Sequence, residues 1–125
     1  QLGYGAIAIK PAGKTMSIAF DMVAAAQKAQ LTAFVADNAC VPWLVEWNKN
    51  ISARLPCFPG VQGGLIESNG AENYGRWSQM LEHHPCAGAG WLAARDGAFH
   101  LDDDYWHRSG GILLDPRPYS DLLRT

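Results

Sequence analysis

Charge, cysteine and long apolar runs are all scarce in this sequence, and each scarcity removes a class of protein. Charged residues make up 18% of the chain and the formal net charge is −2. The lysines and arginines are scattered, so no basic stripe exists on which a nucleic acid would lie. No nucleic-acid partner is expected. No stretch approaches the roughly 20 apolar residues that a membrane-spanning helix needs, the longest candidates being interrupted by Lys28, Pro42 and Glu46. No membrane partner is expected either. Three cysteines, Cys40, Cys57 and Cys86, form an odd set without a Cys-x-x-Cys spacing, which speaks against a disulfide framework and against a zinc ribbon. Internal repeats, low-complexity tracts and linkers are missing as well. So is a basic, apolar leader, although a first residue of Gln1 leaves a removed signal or a trimmed chain open. The compartment is not fixed, with the cytoplasm slightly favoured over secretion.

What is present is apolar and aromatic. Hydrophobic residues are 48% of 125, enough for one globular domain spanning residues 1–125 that buries roughly two thirds of its unfolded surface. Five Trp, four Tyr and four Phe either fill that core or line a binding surface.

Local patterns give an order of elements. Tyr4 to Lys10 is a short apolar run closed by Pro11 and Gly13, and Met16, Ile18 and Phe20 alternate after it, which reads as a first hairpin. Asp21 stands as the N-cap of a Gly- and Pro-free helix running to Val35. Pro42 opens a short second helix over Trp43–Asn48. The run from Ile51 to Gly64, rich in Pro and Gly, reads as an irregular loop of the kind given to binding surfaces, and Leu65–Ser68 as a short strand. Asn69 with Glu72 resembles a capping box for a third helix over about residues 70 to 83, ended by His84-Pro85. Asp96-Gly97 is a type I′ hairpin signal, because both central residues of that turn need positive φ. It pairs Trp91–Arg95 with Ala98–Asp102, placing Leu92, Ala94, Phe99 and Leu101 on the core face and His100, Trp91 and Asp102 on the other. A last strand over Gly110–Asp115 ends at Pro116 and Pro118, before a terminal helical turn over Tyr119–Leu123. The resulting fold class is α+β, an antiparallel sheet of about four to six strands with two main helices packed on one face.

Two chemistries suggest themselves. Cys40 lies just before a helix start, where free amides favour thiolate, His100 sits on an outward strand face, and Asp115 ends the next strand. Cys40, His100 and Asp115 are therefore candidate nucleophile, base and orienter. The stretch from His100 to Pro116 resembles the His-to-Asp segment of papain-like and transglutaminase-like folds, and that resemblance implies a cysteine-dependent hydrolase or acyltransferase. It departs from the pattern at Cys40, which lacks a Gly-rich or Trp-flanked nucleophile motif. A metal site from His83, His84, Cys86, His100, His107 and Asp102–Asp104 fails on spacing, since adjacent helical residues point about 100° apart and no His-Glu-x-x-His occurs. No metal and no cofactor are expected. Gly13-Lys14-Thr15 lacks the spacing of a phosphate-binding loop. The leading expectation is a small, soluble, non-enzymatic binding protein whose surface gathers Trp43, Trp47, Phe58, Trp91, Tyr105 and Trp106 with the Gly/Pro-rich loop. Its partner would be a protein or small-molecule ligand, with a homo-oligomer compatible with leftover apolar helix surface.

Overall fold

The structure is a computed structural model and describes residues 3–115, 117–122 and 124. Its sheet has two parallel strands, β1 (Ala6–Ile9) and β2 (Thr32–Val35), paired Ala6 to Thr32 through Ile9 to Val35. The fold is α+β, but the antiparallel sheet of four to six strands is overturned. A parallel pair needs a crossover between its strands, and that crossover is α1 (Met16–Lys28).

The first misplaced element explains the error. Met16, Ile18 and Phe20 alternate as a strand would, yet Ile18 and Phe20 are exposed, and the buried residues are Ala19, Val23 and Ala26. That buried set has helical spacing. Thr15, not Asp21, is the N-cap, its hydroxyl accepting from the Ile18 amide. The helix also ends earlier than expected, at Lys28, where Gln30 takes φ +57° and the chain turns into β2. No Gly or Pro marks that stop. The aromatic and β-branched residues of Thr32–Val35 suit an extended strand, and β1 supplies the partner.

After β2 come α2 (Pro42–Ser52), α3 (Gly70–Asn73), α4 (Trp77–Glu82), α5 (Asp103–Arg108) and α6 (Arg117–Leu122), with short 3-10 turns at Pro11–Gly13, Gly90–Leu92 and Ser109–Gly111. Pro42 starts α2 as expected, but the helix runs four residues past Asn48 because nothing in Lys49–Ser52 opposes it. The expected third helix is two short ones, interrupted at Tyr74–Arg76. Asn69 makes no side-chain cap there, and its Oδ1 instead accepts from the Ala39 amide. Ile66 forms one parallel bridge to Val35, so the Leu65–Glu67 segment lies beside β2 as a one-residue third strand.

The turn at Asp96 and Gly97 has φ +52° and +74° and one antiparallel bridge, Arg95 to Ala98. The ladder stops after that bridge. Trp91 and Leu92 lie in a 3-10 turn, so Trp91 is buried rather than outward-facing, while His100 is exposed as read. Gly110–Asp115 is not a strand but a 3-10 turn followed by irregular chain. Gly110 and Gly111, at φ +66° and +82°, bend it where a strand would need extended backbone. Pro116 and Leu123 lie outside the described residues.

Two apolar clusters hold these pieces. Ile9, Ala19, Val23, Val35, Ile51 and Leu55 join both strands to α1 and α2, and each larger aliphatic side chain contributes about 1.5–3 kcal/mol by burial. Trp91, Tyr105, Leu92 and Cys86 form the second cluster, under α5. Between them runs α2.

Candidate functional site

Parallel strands align their carboxyl ends on one edge, and here that edge carries polar residues. Ile9 pairs with Val35, and Val35 bridges Ile66, so the next positions along the outer two strands are Lys10 and Glu67. Lys10 lies just past the end of β1, at φ −116° and ψ 77°, and Glu67 donates its amide to the Val35 carbonyl. Asp37 lies between them in sequence space and in the structure, one residue beyond the β2 row. Its side chain is 1% exposed, and it is not idle. Its Oδ1 accepts from the Cys40 amide at 3.2 Å and from Asn48 Nδ2 at 3.2 Å, and its Oδ2 accepts from the Asn69 amide at 2.8 Å.

Those bonds clamp a strained turn. Asn38 and Ala39 take φ +64° and +54° in succession, a conformation that costs a side-chain-bearing residue about 1–2 kcal/mol. Asn tolerates it; Ala has no local hydrogen bond to offset it. The surrounding network holds Ala39 at both ends, with its amide donating to Asn69 Oδ1 at 3.0 Å and its carbonyl accepting from Tyr74 Oη at 2.9 Å. Charged groups finish the edge: Lys10 Nζ reaches Asn38 Oδ1 at 3.4 Å, and Asn69 Nδ2 donates to Glu67 Oε1 at 3.1 Å. Lys10 and Glu67 are exposed, so the edge offers an ammonium and a carboxylate around a rigid, buried aspartate. Sequence reasoning missed this site because it was looking for antiparallel strands, which have no common carboxyl edge.

The residues expected to carry catalysis are engaged separately. Cys40 is buried and donates its thiol to the Asp37 carbonyl at 2.8 Å. Burial first, then Asp37, push that thiol up to about 12, so it is a thiol at neutral pH and not the thiolate a nucleophile needs. His100 Nε2 lies 3.4 Å from the Arg95 carbonyl. Asp115 pairs with Arg117, whose amide and guanidinium hold its carboxyl below the usual range. Among the described residues no hydrogen bond joins the three.

The expected aromatic surface is divided. Trp91 and Tyr105, 1% and 0% exposed, are core residues stacked edge to face at 5.1 Å, so neither can face a ligand in solvent. Phe58 packs edge-on against Phe34. Trp43 and Trp47 are brought together beside Lys14 in a groove of about 240 Å³, with their indole N–H groups spent on the Gly111 and Pro11 carbonyls. Trp106 is exposed and stacks under Arg54.

A second polar cluster was not foreseen. Lys49 and Glu46, one turn apart on α2, form an ion pair of 2.7 Å with both side chains 1% exposed. Lys49 Nζ also donates to the Trp91 carbonyl at 2.9 Å and lies 3.9 Å from the Phe99 ring centroid. Among the described residues, Glu46 Oε2 and His84 Nε2 have no hydrogen-bond partner. His84 Nδ1 accepts from the Cys86 amide at 3.0 Å, which assigns the ring proton of the neutral form to Nε2. Burial raises the Glu46 carboxyl to about 7 and lowers Lys49, while each moderates the other's shift. Burial, with help from Lys49, lowers His84 to about 4. Glu46 and Lys49, three residues apart on α2, gave no sequence signal of this, since charged residues at helical spacing ordinarily mark a solvated face.

These two shifts oppose each other in their effect on stability. His84 binds its proton more weakly when folded, so its contribution is present above pH 6.5 and is lost as pH falls toward 4. Glu46 binds its proton more strongly when folded, so its contribution is present below pH 4.5 and is lost as pH rises through 7. Between about pH 5 and 6.5 the slopes cancel, and urea midpoints of the native chain should stay level. His84→Gln should leave midpoints that fall with rising pH, and Glu46→Gln midpoints that rise, each slope bounded by about 1.4 kcal/mol per pH unit. Equal slopes in both variants would show that these groups are not the ones titrating.

Among the described residues no group of His, Cys, Asp and Glu is arranged to hold a metal ion, and no helix is long and apolar enough to cross a membrane. No known family model matches the chain, and neither a curated protein nor a solved structure is significantly similar to it.

Proposed function

We propose that this chain is a small binding protein whose ligand is a charged small molecule, an amino or hydroxy acid, held at the carboxyl ends of its parallel strands. The binding role expected from the sequence is kept, while its location moves from the aromatic and Gly/Pro-rich surface to the strand edge. One observation carries the reading: Lys10 and Glu67 occupy the row beyond Ile9 and Ile66, on either side of an Asp37 that locks the intervening turn. Open parallel sheets bind ligands outside their strand carboxyl ends. Lys10 would receive the ligand carboxylate, and Glu67 would accept from its ammonium or hydroxyl. The strain at Asn38 and Ala39 supports this, because such backbone persists where the surroundings over-determine it, often at binding sites.

Titration of the isotopically labelled chain with glycine, serine, lactate and, as a control, ethanol tests the proposal by nuclear magnetic resonance. Saturable shifts at the Lys10, Asn38 and Glu67 amides are expected with the acids alone. Lys10→Met and Glu67→Gln, both at exposed positions, should each weaken binding about tenfold, the worth of one charge-assisted hydrogen bond. An unmoved strand edge, or shifts indifferent to both substitutions, would sink it.

A further inference from the structure

We infer that the outer edge of β1 is an interface at which two copies of this chain pair antiparallel across a twofold axis, joining their sheets into one. The inference is independent of the ligand site proposed at the strand carboxyl ends. The Thr32 and Ala36 amides donate to the Gly5 and Ile9 carbonyls, so by alternation Gly5, Ile7 and Ile9 turn their backbone groups to β2, and Ala6 and Ala8 turn theirs away. Among the described residues no backbone hydrogen bond reaches Ala6 or Ala8. Tyr4, Gly5 and Ala8 are exposed and Ala6 is half-buried, so the row is open to water.

Unpaired strand backbone is filled by extended backbone, and three features select a second β1. Ala6–Ile9 carries none of the lysines, prolines or bulges by which edge strands ordinarily prevent pairing. It is also complementary to itself. With Ile7 of each copy on the axis, Ala6 of one copy pairs with Ala8 of the other, each pair exchanging both its amide–carbonyl bonds. The same register sets Tyr4, 75% exposed, across from Lys10 of the other copy at either end, where an aromatic ring attracts an ammonium. The opposite border of the sheet competes poorly, because the Leu65–Glu67 segment offers one bridge and ends in a carboxylate. Pairing through a single border closes as a dimer rather than growing into a filament. It is short, since the Lys10 carbonyl is already taken by the Gly13 amide. A contact confined to one strand falls below the roughly 1,200 Å² of a stable interface, which makes the dimer weak and reversible.

Sedimentation velocity of the whole chain from about 10 μM to about 1 mM, with amide hydrogen exchange at both limits, tests the inference against an expected dissociation constant on the order of 100 μM. At the upper limit the Ala6 and Ala8 amides should exchange at least about threefold more slowly, while the Ile7 amide, already turned to β2, keeps its rate. Ala8→Lys, a change at an exposed position, should weaken the dimer at least about fivefold with an unchanged circular dichroism spectrum, since the two introduced charges lie diagonally across the axis. Mixing it with Ala6→Glu should restore the native affinity in a heterodimer, because the register sets positions 6 and 8 face to face. The inference is overturned if the chain stays monomeric at about 1 mM, if a dimer forms while the Ala6 and Ala8 amides keep their monomer rates, or if Ala8→Lys dimerises as the native chain does. A mixture no tighter than Ala8→Lys alone would overturn the register.

Discussion

Lys49→Met should lose about 3–5 kcal/mol of stability, more than a typical core truncation, while the double substitution Glu46→Leu with Lys49→Met should recover most of it. The asymmetry follows from burial. Removing Lys49 alone leaves the Glu46 carboxyl 1% exposed with neither oxygen bonded, and it removes the donor to the Trp91 carbonyl. Without Lys49 the buried carboxyl must either carry the desolvation penalty of its charge or take up a proton and remain an unsatisfied polar group, whereas a well-packed apolar pair of similar volume does neither. The ammonium also lies against the Phe99 ring, so Met, which retains an unbranched chain, isolates the loss of charge from the loss of packing. Urea unfolding of the three variants at one pH measures it. A single substitution that costs under about 1 kcal/mol would mean that Glu46 does not depend on Lys49 for its burial, and a double variant no better than the single would point to packing instead.

Gly64→Ala is the second large expected effect, because the obstacle is backbone. A Cβ at Gly64 would lie 1.8 Å from the Ser52 carbonyl oxygen and 2.7 Å from its carbon. No rotamer relieves that contact, so the chain after α2 must move. It cannot move alone. Leu65 accepts from the Val35 amide and Glu67 donates to the Val35 carbonyl, so the same displacement strips the third strand from the sheet edge. Overpacking costs about 1–3 kcal/mol, and this case belongs at the upper end. Gly75→Ala is the control: open space surrounds its Cβ position, and the change should lie within about 1 kcal/mol of neutral, on the stabilising side. Thermal or urea unfolding distinguishes the two, and the strand-edge titration should fail in Gly64→Ala because Glu67 leaves its register. Equal stability of the two alanine variants would remove Gly64 from the account.

Much of the local chain was legible in sequence. Pro42 announced α2, the Asp96-Gly97 dipeptide announced a turn with two positive φ values, and Leu65–Ser68 was recognised as strand-like. Each of these signals resides in the backbone preferences of one or two residues, and such preferences survive whatever packs around them. The larger errors arose where a pattern admitted two periods. Met16, Ile18 and Phe20 fit a strand if only their alternation is read and a helix once Ala19, Val23 and Ala26 are weighed with them. Alanine is the quiet member of that helical stripe, small enough to be overlooked and small enough to let α1 approach the sheet.

By itself, the amino-acid sequence determined composition, the turn chemistry and the identity of the good helix formers, all of which are properties of neighbours along the chain. Tertiary structure alone decided that β1 and β2 run parallel, that Lys10 and Glu67 stand on one edge, and that Glu46 and Lys49 turn inward rather than toward water. Those outcomes depend on partners far apart in sequence, Ile9 with Val35, Val35 with Ile66, Lys49 with Trp91. Pairing energies of that kind are realised only when the intervening loops close, so no window of consecutive residues contains them.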